Sequence, residues 1–139
     1  MPALPRLLVA NRGEVAVRVL RAAADLGLPA VAVTAGSDTA HARSAPQVHV
    51  LPGDGPAAYA DGAALVAAAL VTGCTHVHPG YGFLSERADF ADALTAAGLV
   101  LVGPTADSLR LLGDKGSARA LAVSLGVPVP DGGGLDRAA

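Results

Sequence analysis

Tryptophan is absent from this chain, and only two tyrosines and two phenylalanines are present. Aromatics make up 3% of a composition that is 52% hydrophobic, so the core must be built from Ala, Val and Leu. Small side chains of that kind suit helices packed closely on a sheet. Cysteine is nearly absent as well. Cys74 stands alone, which excludes an internal disulfide, fits a reducing compartment and leaves buried filler as its expected role. Long apolar runs are missing too: the longest, 63–71, is far short of the roughly 20 residues that span a bilayer. The N-terminus has no charged segment followed by a long apolar stretch, so no secretory signal is read there and the cytoplasm is the expected location. Charge of either sign is sparse, and the net value of −2 offers no footprint for nucleic acid or an anionic membrane. With 139 residues the chain is one domain, or one domain and the start of another.

What is present is a series of short apolar runs alternating with helical patterns. Leu7-Leu8-Val9-Ala10 and Ala30-Val31-Ala32-Val33-Thr34 read as strands buried on both faces. Between them a helix is expected from Glu14 to Leu26, stopped by Gly27 and Pro29. Residues 35–46 have loop composition, Gln47-Val48-His49-Val50 alternates like an edge strand, and 51–56 is turn material. A helix over 57–71, a strand over 75–78, a helix over 86–97 and a fourth buried strand over 99–102 follow. Two short helices, 105–112 and 115–125, precede an unpatterned tail, 130–139, that reads as a linker or frayed end. This alternation specifies right-handed βαβ crossovers and an open, mostly parallel α/β sheet of four to five strands flanked by helices. Ligands of such sheets bind beyond the carboxyl ends of the strands. Asn11-Arg12-Gly13, the Asp38 region, 78–86 and Gly103-Pro104 all fall there.

The segment after the first strand lacks the Gly-x-Gly-x-x-Gly pattern of dinucleotide sites, and Glu14 would repel a pyrophosphate at the helix start. No Walker loop occurs. His78-Pro79-Gly80-Tyr81-Gly82-Phe83-Leu84-Ser85-Glu86 is more informative, because it places half of the chain's aromatics on a loop. Its glycines permit close backbone approach, and Tyr81 and Phe83 offer flat apolar surface. Chemistry alone leaves two readings open: a ligand-facing turn, or a tight turn whose aromatics fold inward. His76 and His78 share one side of a strand without further metal ligands at suitable spacing, which favours structural roles. Lys115 is the only lysine among ten basic residues and starts a helix behind the candidate N-cap Asp114. A cation there runs against the macrodipole, either without consequence or because it is held for phosphate. Glu14, Arg18, Arg21 and Asp25 make one narrow polar stripe on an otherwise apolar helix. That stripe is either a subunit contact or a solvated face with an Arg21–Asp25 pair.

Three segments together resemble the biotin carboxylase family: Leu8-Val9-Ala10-Asn11-Arg12-Gly13-Glu14-Val15-Ala16 with Arg18 and Arg21; His78 to Glu86; and Gly103-Pro104 followed by Gly113-Asp114-Lys115. The resemblance runs from about Leu7 to Pro130. It implies a Rossmann-like domain that precedes an ATP-grasp domain, in a ligase that uses Mg-ATP and bicarbonate to carboxylate carrier-bound biotin. It further implies that Lys115 contacts ATP phosphate and that Tyr81, Gly82 and Phe83 border the biotin pocket. Arg18, Arg21 and Asp25 match homodimer contacts, and the remaining partners are the biotin carrier, a carboxyltransferase and the rest of the carboxylase chain. The resemblance divides the chain into an N-terminal α/β domain, 1–112, and the start of an ATP-grasp region, 113–139.

Departures are local: Ala45-Pro46-Gln47-Val48 replaces the usual Ala-Asp-Glu-Ala, Arg87 an Asn, and Tyr59-Ala60 a Tyr-Leu. No catalytic residue of the family has a counterpart in this sequence. The chain therefore reads as a truncated part that is inactive alone and binds none of the cofactors tightly. A non-catalytic interaction module of the same fold, or another ATP-grasp ligase, are the alternatives.

Overall fold

The computed structural model describes residues 5–130. Its elements alternate as the sequence patterning requires: β1 Leu7–Val9, α1 Gly13–Asp25, β2 Ala30–Thr34, a 3-10 helix Ala40–Ser44, β3 Gln47–Val50, α2 Gly55–Ala58, α3 Gly62–Val71, β4 His76–His78, α4 Ala88–Ala96, β5 Val100–Leu101, α5 Ala106–Leu112 and α6 Lys115–Ser124. The expected tail beyond Pro130 and the first four residues lie outside the described residues. No helix among those described is long and apolar enough to cross a membrane.

The five strands form one all-parallel sheet in the order β3-β2-β1-β4-β5. Register pairs Leu8 with Val31 on one side and with Val77 on the other, so β1 is central. Alternation along the strands sends side chains to two separate cores. Leu7, Val9, Ala30 and Ala32 meet Ala16, Leu20 and Ala23 of α1 on one face. Leu8, Val31, Val33 and Val77 meet Leu65, Ala68 and Ala69 of α3 and Phe90 and Leu94 of α4 on the other. Each fully buried Leu or Val contributes about 1.5–3 kcal/mol through removal of apolar surface from water. Leu8, Val31, Leu65 and Leu94, all fully enclosed, anchor the second core in that way.

Several elements differ from the sequence expectation. The single helix expected over 57–71 is two, because Asp61 accepts a hydrogen bond from the Ala64 N–H at 3.0 Å and starts α3 afresh. Within the expected loop 35–46 lies the 3-10 helix. The helix expected from Glu86 begins at Ala88, after a turn in which the Arg87 N–H bonds the Leu84 carbonyl. The expected fourth buried strand is a two-residue edge strand, and Val100 is 51% exposed. Its physical reason is coverage: α1 packs over β1 and β2, and β5 lies at the far edge, where none of the described helices covers that face.

Candidate functional site

Because every strand runs the same way, the loops after β1, β2, β4 and β5 gather at one edge of the sheet. The chain moves outward from β1 to β2 on one side and returns to β4 on the other, so the switch in strand order falls between β1 and β4. Open α/β sheets hold their ligands at such a switch. Asn11, the second residue after β1, sits there and is only 1% exposed. Its side-chain amide donates to the carbonyl oxygens of Pro79 at 2.7 Å and Tyr81 at 3.0 Å, while its Oδ1 accepts from the Arg12 N–H at 2.8 Å. A buried amide with both ends used in this way fixes the loop after β4 against the end of β1.

The loop fits because Gly80 has no side chain. Its φ is +65°, and a Cβ there would stand 2.3 Å from Val15 Cγ1 and 2.9 Å from Asn11 Nδ2. The Gly80 N–H donates to His78 Nδ1 at 3.0 Å, and burial holds the His78 imidazole below its ordinary pKa. The His78 ring is thus held within the turn that it begins. Cys74 is buried, with its Sγ 3.3 Å from the Thr72 hydroxyl.

The two aromatics of the loop do not fold inward. Tyr81 is 61% and Phe83 38% exposed, and Phe83 takes the left-handed conformation at φ 47°. Gly82 between them is exposed with open space where a Cβ would stand. The Tyr81 hydroxyl donates to the Glu14 carboxylate at the start of α1, and this bond raises the tyrosine's pKa above its ordinary value.

Behind the loop lies a charged cluster that the sequence reading did not identify. Asp38, just beyond β2, accepts from Arg12 Nε at 2.5 Å and from the Tyr59 hydroxyl at 3.1 Å. The bond from Arg12 is the main reason that its carboxyl titrates below the usual range. Tyr59 is fully buried, and burial together with the bond to Asp38 pushes its pKa to about 12. The Arg12 guanidinium lies 5.8 Å from the centre of the Tyr59 ring, and the Phe83 ring stands 6.0 Å away, tilted by 44°. His41, also buried, meets the Val33 carbonyl through Nε2 at 2.8 Å, with Nδ1 3.7 Å from Asp38 Oδ1. Asp38 and His41 are three residues apart, but Arg12 and Tyr59 are too distant in sequence for local spacing to connect them to that pair. The available signal was an arginine and an aspartate in the turns after two adjacent strands.

Lys115 is exposed at the first turn of α6, behind Asp114, whose carboxylate accepts from the Ser117 N–H at 2.7 Å as an N-cap. It lines a hollow of about 360 Å³ together with Glu86, the last residue of the loop segment, and Pro104. Tyr81 lines a different hollow, of about 370 Å³, with Arg18, Val15 and Gly80. Tyr81 and Lys115 therefore mark two neighbouring features rather than one. Arg18, Arg21 and Asp25 are all exposed on α1, and no ion pair forms between Arg21 and Asp25. Of the stripe, Glu14 instead bonds Tyr81 of the loop, and Arg18 lines the hollow beside it. Among the described residues no three metal-ligating side chains come together.

Comparison with known proteins agrees with this architecture. The family model described as biotin carboxylase, N-terminal domain, matches residues 3–109. A biotin carboxylase of Pseudomonas aeruginosa is 46% identical over 132 residues, which are 93% of this chain and 29% of that protein. The biotin-dependent acyl-coenzyme A carboxylase alpha3 subunit of Mycobacterium leprae is 47% identical over 132 residues, 93% of this chain and 22% of that one. Among solved structures, the biotin carboxylase domain of a single-chain bacterial carboxylase superposes with a TM-score of 0.86 at 59% identity, covering 90% of this chain and 30% of that chain. The chain thus spans less than a third of the length of these relatives. With the fold, the loop after β4 and the family match in agreement, the chain belongs to the biotin carboxylase family and corresponds to its N-terminal domain.

Proposed function

We propose that this chain supplies one wall of the active site of an ATP-dependent biotin carboxylase, a ligase that carboxylates carrier-bound biotin with bicarbonate. The observation that carries the reading is the loop after β4: a buried asparagine pins its backbone while Tyr81 and Phe83 face outward. A pinned backbone with exposed aromatic faces suits a small, flat, partly apolar ligand, because little ordering remains to be done when it binds. Biotin fits that description at Tyr81, Gly82 and Phe83, and when bound it supplies the ureido nitrogen that accepts the carboxyl group.

Lys115 offers an exposed ammonium beside a hollow and fits an ATP phosphate. Mg²⁺ does not fit a site on the described residues, since no set of ligands gathers there. Phosphoryl transfer needs metal ligands and charge-stabilising groups around the transferred phosphoryl. Residues 1–112 then form the α/β domain and 113–139 begin the nucleotide-binding region. The carboxylase partners are the biotin carrier and a carboxyltransferase, an acyl-CoA carboxylase being the assembly that the Mycobacterium relative favours. Arg18, Arg21 and Asp25 form the homodimer face.

The test is a domain exchange. Residues 1–130 replace the matching segment of the Pseudomonas aeruginosa biotin carboxylase, and bicarbonate-dependent ATP hydrolysis is measured with free biotin. Activity in the chimera is expected, and its loss on Lys115→Ala through weaker ATP binding. The 139-residue chain by itself is expected to bind ATP no tighter than roughly millimolar and to show no turnover. A folded chimera without activity, or turnover by the chain alone, overturns the reading.

A further inference from the structure

We infer that Asp38 is a positioning residue for the ligand-facing edge of the loop after β4, acting through the buried ring of Tyr59 on Phe83. The inference rests on the proposed role of the loop and adds to it the side chains that aim it. Phe83 holds a left-handed backbone, φ 47°, which an aromatic residue adopts only when its surroundings impose it. Its ring stands 6.0 Å from that of Tyr59. Tyr59 is in turn fully buried, and its hydroxyl is directed onto Asp38 Oδ2 at 3.1 Å.

Asp38 itself is held from three sides. Arg12 bonds it at 2.5 Å, its own N–H reaches the Ala35 carbonyl at 3.0 Å, and the His41 ring lies 3.7 Å from its other oxygen. Since a carbonyl only accepts, the His41 Nε2 must donate to Val33, so that histidine is anchored to β2. The end of β2 is thereby linked through Asp38 and Tyr59 to Phe83. Asn11 fixes the first half of the loop, and this chain of contacts fixes the second. Asp38 reaches Phe83 through the Tyr59 ring, so its effect on binding is one of aim rather than contact.

The test uses the 139-residue chain and amide hydrogen exchange by NMR. Two hydrogen bonds inside the loop report its order: the Ser85 N–H to the Gly82 carbonyl at 3.0 Å and the Arg87 N–H to the Leu84 carbonyl at 3.1 Å. Asp38→Asn and Tyr59→Leu are each expected to speed exchange at these amides by about tenfold or more beyond any change at the core amides of Leu8 and Val31. Loss of global stability would move all of these amides together, so the local pattern separates aim from support. Equal exchange at Ser85 and Arg87 in parent and variants overturns the inference.

A second variant keeps the question decidable if Tyr59→Leu does not fold. Phe83→Leu, at an exposed site, is expected to shift the Tyr59 ring resonances, and unmoved resonances overturn the contact. The biotin-dependent rate of the chimera tests the role of the loop separately. An ordered-to-mobile change in Asp38→Asn with no effect on the chimera's KM for biotin would leave the positioning intact and remove biotin as the ligand.

Discussion

Asn11 and Pro79 are 68 residues apart in sequence, yet the side-chain amide of the first donates to the carbonyl of the second at 2.7 Å inside the protein. That bond joins the ends of two neighbouring parallel strands where the strand order reverses, and it sets the level at which Tyr81 and Phe83 emerge. The architecture around it is ordinary for the fold class. The Ala10 N–H, which donates to the His78 carbonyl at 2.9 Å, continues the strand pairing up to this point, and the Asn11 amide extends it into the loop.

Removing this amide is expected to be expensive. Asn11→Ala leaves the carbonyls of Pro79 and Tyr81 without their donor, at about 1–3 kcal/mol for each that stays dry. Urea unfolding should show a total loss of about 2–4 kcal/mol with an unchanged m-value. A loss under about half a kcal/mol, the range of an ordinary surface change, would mean that water replaces the side chain at no penalty.

The two glycines of the loop should respond differently to alanine. At Gly80 a methyl would stand 2.3 Å from Val15 Cγ1 in a left-handed backbone, whereas at Gly82, also left-handed, it meets nothing within 4 Å. Conformational strain alone is about 1–2 kcal/mol at either position. Crowding adds about 1–3 kcal/mol at Gly80 only. Thermal or urea unfolding should therefore rank Gly80→Ala well below Gly82→Ala, and equal losses would contradict the close approach to α1.

The sequence made much of this fold legible, and the gaps have physical causes. Leu7–Ala10 and Ala30–Thr34 announced themselves because strands covered on both faces carry unbroken apolar runs. Leu99–Val102 carries a similar run but sits at an edge, and edge position is a property of the whole sheet that no local run encodes. The break between α2 and α3 depends on Asp61 capping, which an alanine-rich stretch concealed. In the site, the outward aromatics were visible as an unusual loop composition. Asn11 and the Asp38 region were legible only as positions at the carboxyl edge of the sheet, and Tyr59 only as part of a departure from the family pattern, because a buried polar group declares its importance only through partners brought from elsewhere in the chain.

With Tyr59 and Tyr81 as the only tyrosines and no tryptophan, alkaline absorbance titration reports on the two residues cleanly. Both are expected above the ordinary tyrosine value of 10, Tyr59 near 12 because of burial and Asp38, and Tyr81 because of its bond to Glu14. Glu14→Gln should lower the Tyr81 midpoint and leave Tyr59 in place. For a raised folded-state value, the stabilisation is complete below the unfolded pKa and disappears as pH rises through the folded one. Folding stability should thus fall between pH 10 and about 12. Titration of both tyrosines near 10 would contradict the buried pairing with Asp38.

The stripe on α1 is testable by charge reversal. Light scattering of the chimera should give a dimer, and the double change Arg18→Glu with Arg21→Glu should give a monomer, since like charges at a contact cost several kcal/mol. A dimer that survives the double change assigns the stripe to solvent.

The most direct measurement of the central claim is the KM for free biotin in the chimera carrying Tyr81→Ala, with Tyr81→Phe as the control that keeps the ring. Loss of a flat apolar contact of about 1–1.5 kcal/mol should raise the KM of the alanine variant about 5–10-fold, while the phenylalanine variant and the KM for ATP stay near the parent. An unchanged biotin KM in Tyr81→Ala would contradict the assignment of this loop as a wall of the biotin site.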